Sequence, residues 1–258
     1  MQRTIGPGWL AREALKSRTL LELPFRGGAP ELLNLVPDLP PPKPLEPGFE
    51  SSIVDRVWAE QRGKYFDGLL VGVTSLGGEY GRLDGTYTTI RYRDYLAADH
   101  VLAHPAPLAP PLALGVHCLL LHADQVAVLR DSKGRALIPG GAVDMSAVVE
   151  GRPSLERAIR TEIAEEAGYD AGSDPLTLTR VYVGGFPTHV VCMTLLHIVD
   201  AASWAILCDS GHRAEAEDIL AVESVPLTDL INALANLPLL TRTAPRAFTS
   251  WHRDKAHC

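Results

Sequence analysis

Apolar residues recur every four positions at Leu155, Ile159 and Ile163, the spacing that gives a helix one buried stripe. It predicts a helix over 155–167, ended by Gly168, which can take the left-handed conformation that stops a helix. On either side the pattern is strand-like. Residues 112–121 and 126–130 predict a hairpin around His122-Ala123-Asp124-Gln125. Residues 136–138 read as a short strand breaking into Pro139-Gly140-Gly141. Residues 176–182 and 189–199 predict two further strands around the Gly184-Gly185-Phe186-Pro187 loop, the second apolar throughout and expected to be buried. The charged run 209–218 precedes another expected strand, 219–225. Thr228 or Asp229 can cap a helix over 230–237, and 245–258 reads as a terminal helix carrying Trp251.

The first half is more broken. Residues 9–23 have the spacing of an amphipathic helix, and 32–36 are short and apolar. Residues 37–44 are proline-rich and predict an extended connector. A helix is expected over 52–62, a strand over 68–76, a turn at Gly77-Gly78, and a threonine- and tyrosine-rich strand over 82–91. A short helix over 92–99 would carry Tyr92, Arg93 and Tyr95. A second proline-rich stretch, 104–111, marks the expected boundary between residues 1–111 and residues 112–258. No internal repeat is visible. Strands before and after a helix imply a mixed sheet between helices, an α/β (α+β) class, preceded by a small α+β domain.

Composition narrows the function classes. The chain has 258 residues, is 46% apolar and carries a net charge of −7. That is enough for a substantial core, and it argues against a nucleic-acid binder, which needs a basic surface. A small nucleotide remains compatible, because one cation-lined cleft suffices. The four cysteines form no Cys-x-x-Cys pair, so reduced thiols are expected rather than disulfides or zinc. Residues 101–123 carry no formal charge but contain Pro105, Pro107, Pro110 and Pro111, which denies them a continuous membrane helix. No apolar h-region follows Met1–Pro7. A soluble, cytoplasmic protein is the expectation. The sequence carries no signal for oligomeric state.

Within the 155–167 helix, Glu162, Glu165 and Glu166 are spaced i, i+3, i+4 and share one face. Three like charges there repel, and a divalent cation reverses that sign. Alone, the pattern also fits a solvated acidic face. Its neighbours add weight: a strand, a Gly-Gly turn and then Asp144 precede it. Together these features resemble the Nudix box. That pattern is a glycine, five residues, Glu, seven residues, then Arg-Glu-apolar-x-Glu-Glu-x-Gly-apolar. The run Thr161-Glu162-Ile163-Ala164-Glu165-Glu166-Ala167-Gly168-Tyr169 matches its second half. There are two departures. Thr161 stands in the arginine slot, beside Arg160, and Gly141 to Glu162 spans 21 residues (162 − 141) where the pattern needs fifteen. The extra residues fall around 147–152. Glu150 and Glu156 are both candidates for the first glutamate of the box.

The resemblance implies a Nudix α/β/α sandwich over 112–258 that works with Mg²⁺, or Mn²⁺ in its place. Glu165 and Glu166 would be primary ligands, Glu162 a ligand or orienting carboxylate, and the Gly140 carbonyl a further ligand. A base or extra ligand from a later loop would be Glu215, with Glu217 the second choice. Arg160 would orient a glutamate or lie exposed, and Asp144 would order the glycine turn. The Trp58 helix, the strands after it, Tyr92-Arg93-Asp94-Tyr95-Leu96 and Leu114-Gly115-Val116 resemble the branch of UDP-glucose and UDP-galactose pyrophosphatases. Members of that branch carry a long box insertion and lack its arginine. The implied reaction is UDP-hexose and water giving UMP and hexose 1-phosphate, with Tyr92, Arg93 and Tyr95 on the nucleotide. Packing of the small domain is the alternative role for those three. Competing functions are hydrolysis of ADP-ribose or another nucleoside diphosphate derivative, a non-catalytic nucleotide-sugar-binding regulator, and a scaffold using the proline stretches.

Overall fold

The computed structural model describes residues 21–22, 33–38, 51–61, 67–79, 82–102, 112–184, 190–209 and 219–230. Its strands are β1 (Leu21–Glu22), β2 (Leu33–Pro37), β3 (Leu69–Glu79), β4 (Arg82–Arg91), β5 (Leu112–His122), β6 (Gln125–Asp131), β7 (Ala136–Leu137), β8 (Gly140–Ala142), β9 (Val148–Val149), β10 (Arg152–Pro153), β11 (Thr177–Gly184), β12 (Val190–Ile198) and β13 (Ile219–Pro226). Its helices are α1 (Ser51–Gln61), α2 (Tyr92–Leu102), α3 (Leu155–Ala167) and α4 (Ala201–Leu207).

β5 is the hub. It pairs in parallel with β12 along its length and antiparallel with β3, β6 and β8. The main path of the sheet runs β1-β11-β12-β5-β3-β4-β2, with β6, β7, β8 and β13 branching from it. Parallel pairs (β12 with β5, β2 with β4) and antiparallel pairs coexist, so the sheet is mixed, in an α+β arrangement. Side chains alternate across a strand, and β5 shows it. Leu114, Val116, Cys118 and Leu120 join Leu155, Ile159 and Ile163 of α3 in one core. Leu119 and Leu121 enter a second core with Val126 and Ile138. Ala113 lies under Tyr92 and Tyr95 of α2. Helices therefore cover both faces.

The α3 stripe is buried as its spacing requires, with Ile159 and Ile163 at 0% exposure. Ser154 caps the helix by accepting from the Arg157 N–H, and Gly168 closes it in the left-handed region at φ 58°. Residues 145–153 fold too. Met145–Ala147 form a 3-10 turn and β9 and β10 a two-stranded ladder. Tyr87 of β4 donates to the Gly151 carbonyl at 3.0 Å, and the Ser154 N–H donates to the Ala147 carbonyl at 2.9 Å. The added hairpin is thus tied at its tip to the first half of the chain and at its base to the start of α3.

The boundary expected at 111/112 falls inside one sheet and one core. β3 pairs with β5, and Leu35, Val71 and Leu76 share a cluster with Leu114 and Ile163. Two expectations are corrected. Leu21–Glu22 pair with β11 as a strand instead of ending a helix, because a sheet edge there satisfies their backbone. Gly77 and Gly78 stay in β3, opposite Asp84 and Leu83, instead of forming a turn. α4 was not expected: it is one short helix, capped by Asp200 accepting from the Ala202 and Ser203 N–H groups. Expectations for 9–20, 39–44, 104–111 and 231–258 fall outside the described residues. Cys118 and Cys208 are free thiols. No described helix is long and apolar enough to cross a membrane.

Ile163→Ala should lower the unfolding free energy by about 2–5 kcal/mol, since a fully buried aliphatic side chain leaves a cavity between helix and sheet. Urea unfolding of the two proteins measures it, and a loss under about 0.5 kcal/mol would show that α3 is not seated on β5.

Candidate active site

The geometry is set where β8 passes the C-terminal turns of α3. The Gly140 N–H donates to Glu166 Oε2 at 2.9 Å. Gly140 sits at φ 152°, and a Cβ there would collide with the Val116 carbonyl and with His117, so β8 approaches β5 only because this residue has no side chain. At Gly141 the neighbour is a side chain: a Cβ there would meet the Glu162 carboxylate, which would have to swing aside. Each glycine of the pair therefore makes room for a different neighbour, and the second neighbour is a candidate functional carboxylate.

The register explains what Gly140 presents. The Cys118 N–H donates to the Pro139 carbonyl and the Val143 N–H to the Leu114 carbonyl. In that antiparallel alternation Gly140, opposite His117, is a residue whose backbone groups face away from β5. Its N–H meets Glu166.

The electrostatics follow from burial and crowding. Burial pushes the Glu162 carboxyl up to about 7 from an ordinary 4.5, with the charges of Glu165 and Asp144 adding to it. Burial pushes Glu166 up to about 8, opposed by the Gly140 N–H and reinforced by Glu162 and Glu165. Glu165 itself is exposed. Among the described residues, none of the ion pairs involves these three glutamates. A hard divalent cation would favour the ionised forms that burial now opposes, and carboxylates with a backbone carbonyl suit Mg²⁺. No three carboxylate, imidazole or thiol groups of the described residues are yet gathered closely enough to share one ion. Closing such a site requires side-chain rotation, which exposed Glu165 is free to make.

Other expected residues fall elsewhere. Arg160 does not reach the three glutamates. It binds Glu156 at 2.6 Å and the carbonyls of Ala171 at 3.1 Å and Asp174 at 2.6 Å, tying α3 to the loop after it. Glu156 is thereby paired on its own helix. Glu150 is exposed beside Gly151 at the tip of the added hairpin, at φ 50°. Asp144 is the acidic residue that does lie by the cluster, its charge felt at Glu162 while its Oδ1 accepts from Ser146 N–H at 2.7 Å. The acidic residue directly after the glycine turn was the sequence signal for it. Glu215 and Glu217 lie in 210–218, outside the described residues. Tyr92 and Tyr95 have ring centroids 6.0 Å apart and pack by Leu70, Ala113 and Ala142, one residue beyond Gly141. Arg93 is engaged by Asp67 at 3.7 Å and Asp94 at 3.8 Å.

No family model matches the chain, and no curated protein matches it. Solved structures do align. One is the NUDIX domain of Shewanella oneidensis NrtR complexed with ADP ribose, at 18% identity and TM-score 0.41, over 60% of this chain and 96% of that one. A NUDIX hydrolase from Nitrosomonas europaea aligns at 16% identity and TM-score 0.41, over 56% and 90%. A MutT protein from Methanosarcina mazei Go1 aligns at 19% identity and TM-score 0.40, over 57% and 98%. At such values the likeness carries nothing about activity or substrate, which rest on the side chains.

The raised carboxyls have a stability consequence. The folded protein holds protons that the unfolded chain releases near 4.5, so stability from this pair is full below that pH and is lost as pH rises through about 7 and 8. Metal-free wild type should therefore lose more melting temperature between pH 5 and 9 than Glu162→Gln/Glu166→Gln. Mg²⁺ should restore the wild type most at the alkaline end. Parallel pH profiles for the two proteins would refute the crowding.

Proposed function

We propose that this protein hydrolyses the pyrophosphate bond of a nucleoside diphosphate derivative in a Mg²⁺-dependent reaction. The observation that carries this reading is the convergence of Glu162 and Glu166 on the two glycines, with Glu166 held by the Gly140 N–H at 2.9 Å. Glu162, Glu165 and Glu166 with the Gly140 carbonyl would hold the metal. When bound, it would neutralise phosphate oxygens and lower the pKa of an attacking water. The chain's own part is to set the donors. Gly140 orients the Glu166 carboxylate, and α3 keeps Glu162 and Glu165 on the same side, with Glu162 and Glu166 half-buried. The water proton leaves to a carboxylate as its oxygen bonds phosphorus and the bridging P–O bond breaks. Glu215, then Glu217, is our choice for that base.

Within this class we place the substrate among UDP-sugars, giving UMP and sugar 1-phosphate. Support comes from the residues outside the box. The insertion is a folded hairpin held by Tyr87, and Tyr92 and Tyr95 stand beside Ala142. ADP-ribose or another nucleoside diphosphate derivative is the neighbouring choice. One observation favours a second reading, a nucleotide-binding regulator without turnover: among the described residues no three acidic groups are gathered for a shared ion. We expect a small, soluble nucleotide ligand and a cytoplasmic setting.

UDP-glucose, UDP-galactose and ADP-ribose should be tested with and without Mg²⁺, following the nucleoside monophosphate released. Glu166→Gln should lower kcat by on the order of 10²-fold or more. UMP release lost in the variant supports the UDP-sugar choice, and AMP from ADP-ribose alone moves the substrate. No product from any of them, with melting still shifted by nucleotide, supports the regulator.

A further inference from the structure

The core on the α3 side of the sheet holds a titratable group that the carboxylate chemistry leaves unused. His197 of β12 is 1% exposed. Leu195 and Val199, two residues to either side, belong to the core that α3 covers. Alternate side chains of a strand share a face, so the imidazole stands among apolar groups. Its Nε2 lies 3.2 Å from the hydroxyl of Tyr169, the residue directly after the Gly168 cap of α3. Its Nδ1 has no hydrogen-bond partner, although the Pro175 carbonyl is near enough to favour the protonated ring. Buried polar atoms are nearly always partnered. A neutral imidazole has one donor and one acceptor nitrogen, and here only one of the two is satisfied.

The contact with Tyr169 joins β12 to the segment 169–175 that continues α3. The same segment is tied to α3 by Arg160, which donates to the carbonyls of Ala171 at 3.1 Å and Asp174 at 2.6 Å. Its residues 172–175 are exposed, so it can open without dismantling the sheet. The influences on the ring do not cancel. Burial and the Arg160 guanidinium disfavour another positive charge, and they outweigh Asp174 and the Pro175 carbonyl, so the imidazole is held below its ordinary 6.5. On the Tyr169 side stand Ser203, Asp174, Asp200 and Asp170, with the Ser203 hydroxyl donating to Asp200 at 2.5 Å.

We propose that His197 is a proton-operated latch: neutral, it holds Tyr169 and the segment 169–175 against the sheet, and on taking up a proton it lets that segment open. The opened ring accepts a proton at the ordinary value, the closed ring only at lower pH. Closure is therefore favoured above about 6.5 and is lost as pH falls below it. That sign is opposite to the one for Glu162 and Glu166, whose protonation favours the folded state. The latch does not rest on the hydrolase reading.

The test is amide hydrogen exchange of residues 169–175 in the full chain, between about pH 7.5 and 5.5, corrected for the intrinsic pH dependence of exchange. Wild type should open severalfold more often at the acid end. His197→Gln, which has no group titrating there, should not show that rise, while Glu162 and Glu166 contribute equally to both proteins. Tyr169→Phe removes the hydroxyl that the ring holds, and its segment should exchange faster already at the neutral end. Asp174→Asn removes an exposed charge that favours the protonated ring. It should lower the pH at which the His197 ring titrates, followed by NMR, and it carries the test should His197→Gln fail to fold. The same pH dependence of segment exchange in wild type and folded His197→Gln overturns the latch. So does a His197 titration that Asp174→Asn leaves in place, or a segment as well protected in Tyr169→Phe as in wild type.

Discussion

Everything at the candidate site depends on one close approach, β8 against β5 with α3 laid across its end. A side chain at Gly140 would meet the β5 backbone, and a side chain at Gly141 would meet Glu162. With both absent, the strand moves in, its free N–H turns outward, and Glu166 binds it. The carboxylates are then packed more densely than water-exposed groups would be, and their acidity shifts accordingly. The same absence of side chains both builds the site and makes it costly to leave without a cation.

The added residues of the motif extend this logic. In isolation, six extra residues between the glycines and the acidic helix would loosen the relation between the two. Here they become a short turn and a two-stranded ladder whose tip is gripped by Tyr87 and whose base is bonded at Ser154. The N-cap of α3 is thereby held, and with it the height of Glu162 above Gly141. The first half of the chain contributes the gripping strand, so its role at the site includes the placement of the helix as well as any contact with a ligand.

Arg160 shows how a charged residue beside a motif can serve the scaffold. It was a candidate for orienting the glutamates, but the helix turns it to Glu156 and to two loop carbonyls. Glu156 is consumed in that pair. Asp144, whose side chain also holds Ser146, is the acid left near Glu162.

Local pattern determined the elements that local chemistry controls. The stripe of Leu155, Ile159 and Ile163, the cap at Gly168, the β4 limits and the apolar β12 were legible because periodicity and glycine act within a few residues. The three glutamates on one helix face were legible for the same reason. Only tertiary structure decided the rest. β1 is a strand because β11 offers an edge, and the Gly77-Gly78 pair stays extended because β4 pairs with it. Asp144 and His197 matter because of what the fold brings beside them, across gaps of sequence that no spacing rule spans. The amino-acid sequence alone specified which groups were available and on which side of each element they stood. Which of them met, and which buried nitrogen was left without a partner, was settled by the packing of strands and helices that are distant in the chain.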